Sequence, residues 1–285
     1  MVMADPLTVS AQTSKPSKSA IKKPKGNEKK AKGAGKKKGP ASQPISSERL
    51  PPHIACIFPA GGQRGTTIEV TVGGQGFLDV ESVRISGEGV GAAVSQTVDD
   101  KKLILSITVD EDASLGERDL RIITPGGASN RIRFLVGQLP ETNEIEPNSQ
   151  MAQAQRLPSL PMTVDGRVSG GDIDFYRFPA KAGQTLVLQV QARALQPFIA
   201  DAVPGWMQAT MTLNDSTGRQ LAYVDDFRSD PDPLFFFTVP KDGEYVVEVK
   251  DAIFRGRNDF VYRLSIGALP YITHIYPLGA RCGTT

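Results

Sequence analysis

Five side chains between residues 144 and 174 can offer hard oxygen ligands: Glu144, Glu146, Asn148, Asp172 and Asp174. They come in two groups. Glu144-Ile-Glu-Pro-Asn148 lies in a polar linker after Leu139-Pro140, and Gly171-Asp-Ile-Asp-Phe-Tyr176 makes a turn into the β-like run Phe175-Tyr-Arg-Phe178. Unpaired carboxylates at this density repel, so they either spread over a solvated loop or gather round a cation. Calcium suits such a set, because it takes roughly six to eight oxygens from carboxylates, amides and backbone carbonyls. A bound ion would pin the linker to the fold and stabilise it by binding the folded form alone. The competing reading is an acidic, solvated linker beside an Asp-rich turn. Asp225-Asp226 is a further acidic pair in a turn, where solvation accounts for it.

Other chemistries find less support. The two histidines, His53 and His274, are far apart in the chain and have no nucleophile placed by a motif. A serine triad needs a base held on its nucleophile, and no Gly-x-Ser-x-Gly elbow occurs. Zinc spacings of the Cys-x-x-Cys or His-x-x-x-His kind are missing. Gly73-Gly-Gln-Gly76 is not followed by Lys-Ser/Thr and opens no helix, so it is no phosphate loop. Acidic pairs can hydrolyse glycosides, but on turns such pairs are commonplace. No catalytic residue and no organic cofactor site is assigned, and calcium is the one cofactor expected.

The positioning elements must be strands. The chain has 285 residues, room for two ordinary domains, and its 28 Gly and 21 Pro suit short strands and many turns rather than long helices. No apolar run approaches the ~18 residues of a membrane-spanning helix. A net charge of +2 hides an asymmetry: residues 1–50 carry eleven lysines and Arg49 against three acids, a net of +9, and the remainder carries −7. That lysine-, proline- and glycine-rich tail has nothing apolar to bury and is expected to be disordered. It serves as a solvated linker or contacts anionic polymers; with no aromatic residue it offers no stacking platform for nucleic acid. Met1-Val-Met-Ala-Asp-Pro6 lacks the apolar core of a secretory signal, yet Val2-Met-Ala4 before Asp5 looks like the end of a cleavage site, so the start is expected upstream. Cys56 and Cys282 are too few for a disulfide framework and are expected free or paired externally.

From Leu50 the texture changes. Thr66-Thr-Ile-Glu-Val-Thr-Val72 alternates strictly and places Ile68, Val70 and Val72 on one buried face. Ile54–Ile57, Val83–Ile85, Leu103–Val109, Arg118–Ile123 and Arg131–Val136 complete one set of short strands, with Thr124-Pro-Gly-Gly-Ala128 as a hairpin connection. A second set follows at Phe175–Phe178, Leu186–Val190, Ala209–Leu213, Leu234–Val239, Glu244–Val249 and Phe260–Ile266. Spacing of this kind indicates antiparallel sandwiches. Leu195–Trp206 is a longer apolar stretch, expected to pack over one end of the second sandwich or else to stand out as a binding loop.

Two resemblances sharpen this. Pro52-x-Ile-x-x-Ile-Phe-Pro-x-Gly, then Arg64-Gly-Thr-Thr and Gly74-x-Gly-Phe77, resembles the IPT/TIG immunoglobulin-like domain over residues 51–137. The two acidic groups, Ala180-Lys-Ala-Gly-Gln184, Leu213-Asn-Asp-Ser-Thr-Gly218, Tyr223-Val-Asp-Asp226, Val239-Pro-Lys-Asp-Gly-Glu-Tyr245 and Tyr262-Arg-Leu264 resemble the bacterial pre-peptidase C-terminal domain over about 140–267. The resemblances imply an all-β chain of two tandem sandwiches, immunoglobulin-like over 51–137 and jelly-roll-like over 138–268, after the basic tail. Pro270–Thr285 aligns without gaps on Pro52–Thr67 with eight of sixteen positions identical, so 269–285 is expected to open a second immunoglobulin-like repeat that this sequence holds only in part. The implied function is that of non-catalytic extracellular modules, secreted, periplasmic or at a cell surface, that bind a protein or polysaccharide. The alternative is the accessory region of a secreted peptidase or other hydrolase whose catalytic domain lies outside this sequence.

Overall fold

The computed structural model describes residues 50–198 and 205–283. The expectations for the basic tail fall on residues 1–49, outside that range. The described chain is all-β: nineteen strands and one short 3₁₀ turn at Met151–Gln153.

The first sandwich is built from β1 (His53–Phe58), β2 (Gly61–Gln63), β3 (Thr66–Gln75), β4 (Ser82–Ile85), β5 (Val90–Thr97), β6 (Lys102–Val109), β7 (Gly116–Thr124), β8 (Gly127–Ala128) and β9 (Ile132–Gly137). One sheet runs β1-β3-β6-β5 and the other β2-β9-β7-β4, with β8 closing a hairpin on β7. The strict alternation of β3 does what it predicts. Val70 and Val72 are fully buried, Ile68 packs against them, and Leu103, Leu105 and Ile107 of β6 continue the same core. β5 was not legible in the sequence because Val-Gly-Ala-Ala-Val-Ser-Gln-Thr is weakly apolar and mostly exposed. Its strand character comes from pairing with β6.

The second sandwich follows with β10 (Glu141–Asn143), β11 (Gln155–Arg156), β12 (Met162–Arg167), β13 (Ile173–Ala180), β14 (Thr185–Gln191), β15 (Ala209–Asp215), β16 (Gln220–Val224), β17 (Leu234–Thr238), β18 (Gly243–Asp251) and β19 (Val261–Gly267). Its sheets run β10-β12-β19-β14-β17 and β11-β13-β18-β15-β16. Between them lies a core that includes Leu188, Val190, Met211, Leu213, Val247, Val249 and the rings of Tyr176, Phe178 and Tyr262. Residues 269–283, which align with the opening strand of the first sandwich, form no strand among the described residues. Both cysteines are free thiols, Cys56 half-buried and Cys282 exposed.

The ladder of β12 and β19 joins the two sandwiches. Its register sets Val164 against Leu264, Asp165 against Arg263 and Gly166 against Tyr262. Side chains alternate between faces along a strand. Val164, Leu264 and Tyr262 therefore point into the second core, while Asp165, Arg263 and Val261 point outward. The first sandwich covers that outward face. Val261 belongs to its core, and the Arg167 guanidinium lies 4.8 Å over the Phe58 ring. Arg263 Nη1 bonds Asp165 Oδ1 at 3.2 Å, Arg263 Nη2 bonds Glu141 Oε1 at 2.5 Å, and the Ala60 amide donates to Asp165 Oδ1 at 3.0 Å. Gly61 is required there, because a Cβ would sit 1.9 Å from Arg263 Nη1 and 2.3 Å from the Leu135 carbonyl oxygen. Of the apolar stretch expected to pack over the end of the second sandwich, Trp206 packs against the second core, with the Phe198 ring tilted against it at 4.6 Å, whereas Leu195 is buried in the core of the first sandwich.

Burial outweighs the attraction of Arg263 and pushes the Asp165 carboxyl up to about 7, and burial raises Glu141 as well. Removing the cation leaves two buried acids uncompensated. We expect Arg263→Ala to cost about 3–5 kcal/mol at neutral pH by urea unfolding. A group whose folded pKa is raised takes up protons that the unfolded chain does not, so its penalty is relieved as pH falls. The deficit should therefore narrow from pH 7 toward pH 4, and the triple replacement Arg263→Met, Asp165→Asn, Glu141→Gln should recover part of it.

Candidate metal centre

Glu144 stands at the end of β10. Its amide donates to the Asp165 carbonyl at 2.8 Å, extending the parallel β10–β12 pairing by one bond, and its Oε2 accepts the Arg167 amide at 2.7 Å. Two bonds to β12 thus fix the backbone and side chain of the first acid. Glu146 turns back on its own loop, its Oε2 accepting the Asn148 amide at 2.8 Å. The Asn148 carbonyl accepts the Phe175 amide at 3.1 Å, which stitches the linker to the start of β13 beside Asp174. The two acidic groups, 26 residues apart in sequence from Asn148 to Asp174, are brought together by these few bonds.

Of the five expected ligands, Glu144, Glu146 and Asp174 each place a carboxylate oxygen within 4.8 Å of the others. Two oxygens bound to one calcium at about 2.4 Å can stand no more than ~4.8 Å apart, so the spacing fits that ion. Asn148 is completely buried, and neither its Oδ1 nor its Nδ2 has a hydrogen-bond partner. Asp174 is also completely buried. Its Oδ2 accepts the Tyr262 hydroxyl at 2.6 Å, and its Oδ1 has no partner. Buried polar atoms are almost always paired, so the two orphaned acceptors, Asn148 Oδ1 and Asp174 Oδ1, fit the oxygen donors that a hard cation takes. Asp172 is half-buried next to Glu146, with Oδ1 turned back onto the Ile173 amide at 2.8 Å; it lies at the rim of the group.

The electrostatics agree with the geometry. Burial pushes Glu144 up to about 7, with Glu146 and Asp172 adding repulsion. Burial pushes Asp174 up to about 8; the Tyr262 hydroxyl opposes this, and Glu144, Asp172 and Glu146 reinforce it. Glu146 is raised by its smaller burial and by Asp172. No guanidinium forms an ion pair with any of the three among the described residues.

The supporting side chains carried no signal of this role in the sequence. Tyr176 donates to the Tyr262 hydroxyl, 2.6 Å away, since the Tyr262 hydrogen goes to Asp174, and both rings are fully buried. Gly166, opposite Tyr262 in the ladder, leaves room for that ring: a Cβ would lie 2.3 Å from Tyr262 Cζ. Tyr176 and Tyr262 belong to the stretches that carry the family resemblance, but only the register of β12, β13 and β19 shows that they meet at Asp174.

No family model matches the chain. It is 28% identical over 222 residues to a probable subtilase-type serine protease of Deinococcus radiodurans, a match covering 66% of this chain and 29% of that protein. Among solved structures it is similar to the pre-peptidase C-terminal domain of a collagenase from Bacillus anthracis, at 22% identity over 40% of this chain and 93% of that one, with a TM-score of 0.30. It is also similar to SGBP-B from a complex xyloglucan utilization locus of Bacteroides uniformis, at 12% identity over 76% and 73% of the two chains, with a TM-score of 0.26.

Tyr262→Phe removes the hydroxyl that joins Tyr176 to Asp174 and leaves both without that bond. We expect a loss of about 1–3 kcal/mol in chelator, read by urea unfolding, with the sandwich intact by circular dichroism.

Proposed function

We propose that this chain is a non-catalytic accessory region of a larger secreted protein, and that its second sandwich is stabilised by calcium. The observation that carries the calcium reading is the cluster itself. Three carboxylate oxygens lie within 4.8 Å, with a buried asparagine side chain and a buried aspartate oxygen that nothing else satisfies. Glu144, Glu146, Asn148 and Asp174 would hold the ion, with Asp172 at the rim. Bound there, calcium would supply positive charge to carboxylates that have no ion-pair partner among the described residues, and would tie the linker after β10 to the start of β13.

The 28% identical relative is described as a protease, and the chain spans 29% of its length. That favours the accessory region of a secreted peptidase over a free-standing adhesin. The order of motifs supports an IPT/TIG-type module followed by a pre-peptidase C-terminal-type module. An extracellular setting follows from the same reading, since millimolar calcium is available there to sites of modest affinity. No step of catalysis is assigned to this chain.

The test is thermal unfolding of the whole chain in chelator and in calcium. At a hundred times the dissociation constant a ligand adds about 2.7 kcal/mol, which for a chain of this size is a rise of about 5–10 °C. Glu146→Gln should change sign with conditions. In chelator it relieves repulsion and leaves the melting temperature equal or higher, whereas in calcium it removes a ligand and lowers it. A melting temperature indifferent to calcium, with Glu146→Gln neutral in both buffers, would overturn the calcium reading.

A further inference from the structure

The sheet β10-β12-β19-β14-β17 ends on β17, at the edge opposite the acidic cluster. The β14–β17 register pairs Thr185 with Thr238 and Leu186 with Phe237, and the Val190 amide donates to the Pro233 carbonyl while the Val239 amide donates to the Gln184 carbonyl. Narrow and wide pairs alternate in an antiparallel ladder. Residues 233, 235, 237 and 239 therefore bond to β14, and the amides and carbonyls of Phe236 and Thr238 point away from the sheet. Nothing among the described residues pairs with them.

Natural sheets protect such edges with bulges, charged residues or proline. The other edges of four residues or more are protected in this way. β1, β5 and β16 carry register shifts in their ladders, and β4 carries Arg84. β17, Leu-Phe-Phe-Phe-Thr, is regular along its length and carries no charge, and prolines stand only outside it, at Pro233 and Pro240. Its outer face is aromatic. Phe236 is 46% exposed and meets Phe227 at 6.3 Å and Tyr271 at 5.7 Å. Around it the turn after β16 exposes Asp225, Asp226 and Asp230 against Arg228 alone, and Arg228 is stacked on Phe227 at 5.3 Å.

We propose that β17 is a docking edge for an extended, lysine- or arginine-bearing segment of another polypeptide, taken up by strand addition. Main-chain bonds to Phe236 and Thr238 hold it, the aromatic group contacts its alternate side chains, and the acidic turn selects its charge. The same acidic turn opposes pairing of β17 with a second copy of this chain, which would bring two such turns together. The inference gives a ligand class to the accessory role proposed above and rests on that reading, but not on its calcium site.

The experiment titrates the full-length chain with fluorescein-labelled Lys-Thr-Val-Lys-Val-Thr-Lys, and with the same peptide N-methylated along both edges. Binding should weaken with added salt. Methylation, which keeps every side chain but removes the amide donors, should weaken it about tenfold or more, as should Phe236→Lys at an unchanged melting temperature. Binding should persist in chelator and in Glu146→Gln, whether or not calcium shifts the melting temperature. Absence of binding at millimolar peptide, equal affinity for the methylated peptide, or loss of binding in chelator would overturn the proposal. So would sedimentation showing a dimer that Phe236→Lys dissociates, since the edge would then belong to a second copy.

Discussion

The two-residue period of the β12–β19 ladder is the constraint on which the rest of this molecule depends. Residues 164, 166, 262 and 264 face the second core, and residues 165, 261 and 263 face the first sandwich. A shift of register by one residue would exchange the faces. It would put Arg263 and Asp165 into an apolar core and turn Tyr262 away from Asp174. The junction between sandwiches and the acidic cluster therefore share one register. β10 reinforces the link, because it supplies Glu141 to Arg263 and the residue directly after it, Glu144, belongs to the cluster.

The strands that could be read from sequence are those whose alternation reflects burial on one face. β3, β6, β14 and β18 are of this kind, and their expected apolar positions are the core. β12 was missed for a reason that its structure explains. Asp-Gly-Arg at 165–167 looks like a turn, and only the pairing of Asp165 with Arg263, the room Gly166 makes for Tyr262, and the cover of the first sandwich make it a strand. Each of those partners is about a hundred residues away in sequence. β16 was missed because its neighbouring Asp225-Asp226 reads as a loop and its own residues are half-exposed.

The acidic site was legible as a set of residue types and not as a geometry. Residue chemistry alone gives five oxygen-bearing side chains and a choice between solvation and a cation. The fold changes the terms of that choice, since Asn148 and Asp174 are fully buried and cannot be solvated as linker residues. Asp172, by contrast, keeps the character of a turn residue, with its carboxylate on its own following amide. The bonds that gather the group, Glu144 to Arg167 and Asn148 to Phe175, run through the backbone, where side-chain identity carries no signal.

How the chain treats its other buried acids gives the cluster its meaning. Asp232 accepts the amides of Ala192, Arg193 and Ala194. Asp251 accepts those of Gln208, Ile253 and Arg255 as well as the Arg255 guanidinium. Asp215 closes a turn on Thr217 and Arg219, and Asp165 has Arg263 and the Ala60 amide. In each case the sequence supplies the compensation locally or by a fixed arginine. Asp174 differs: one oxygen has a tyrosine, the other has no partner, and the charges that act on it are three more carboxylates, Glu144, Asp172 and Glu146. Arg167, the one cation close by, lends Glu144 its amide and places its guanidinium on Phe58. Desolvated acids without a counter-charge are strongly destabilising, and of the buried aspartates among the described residues Asp174 alone keeps a carboxylate oxygen without a partner.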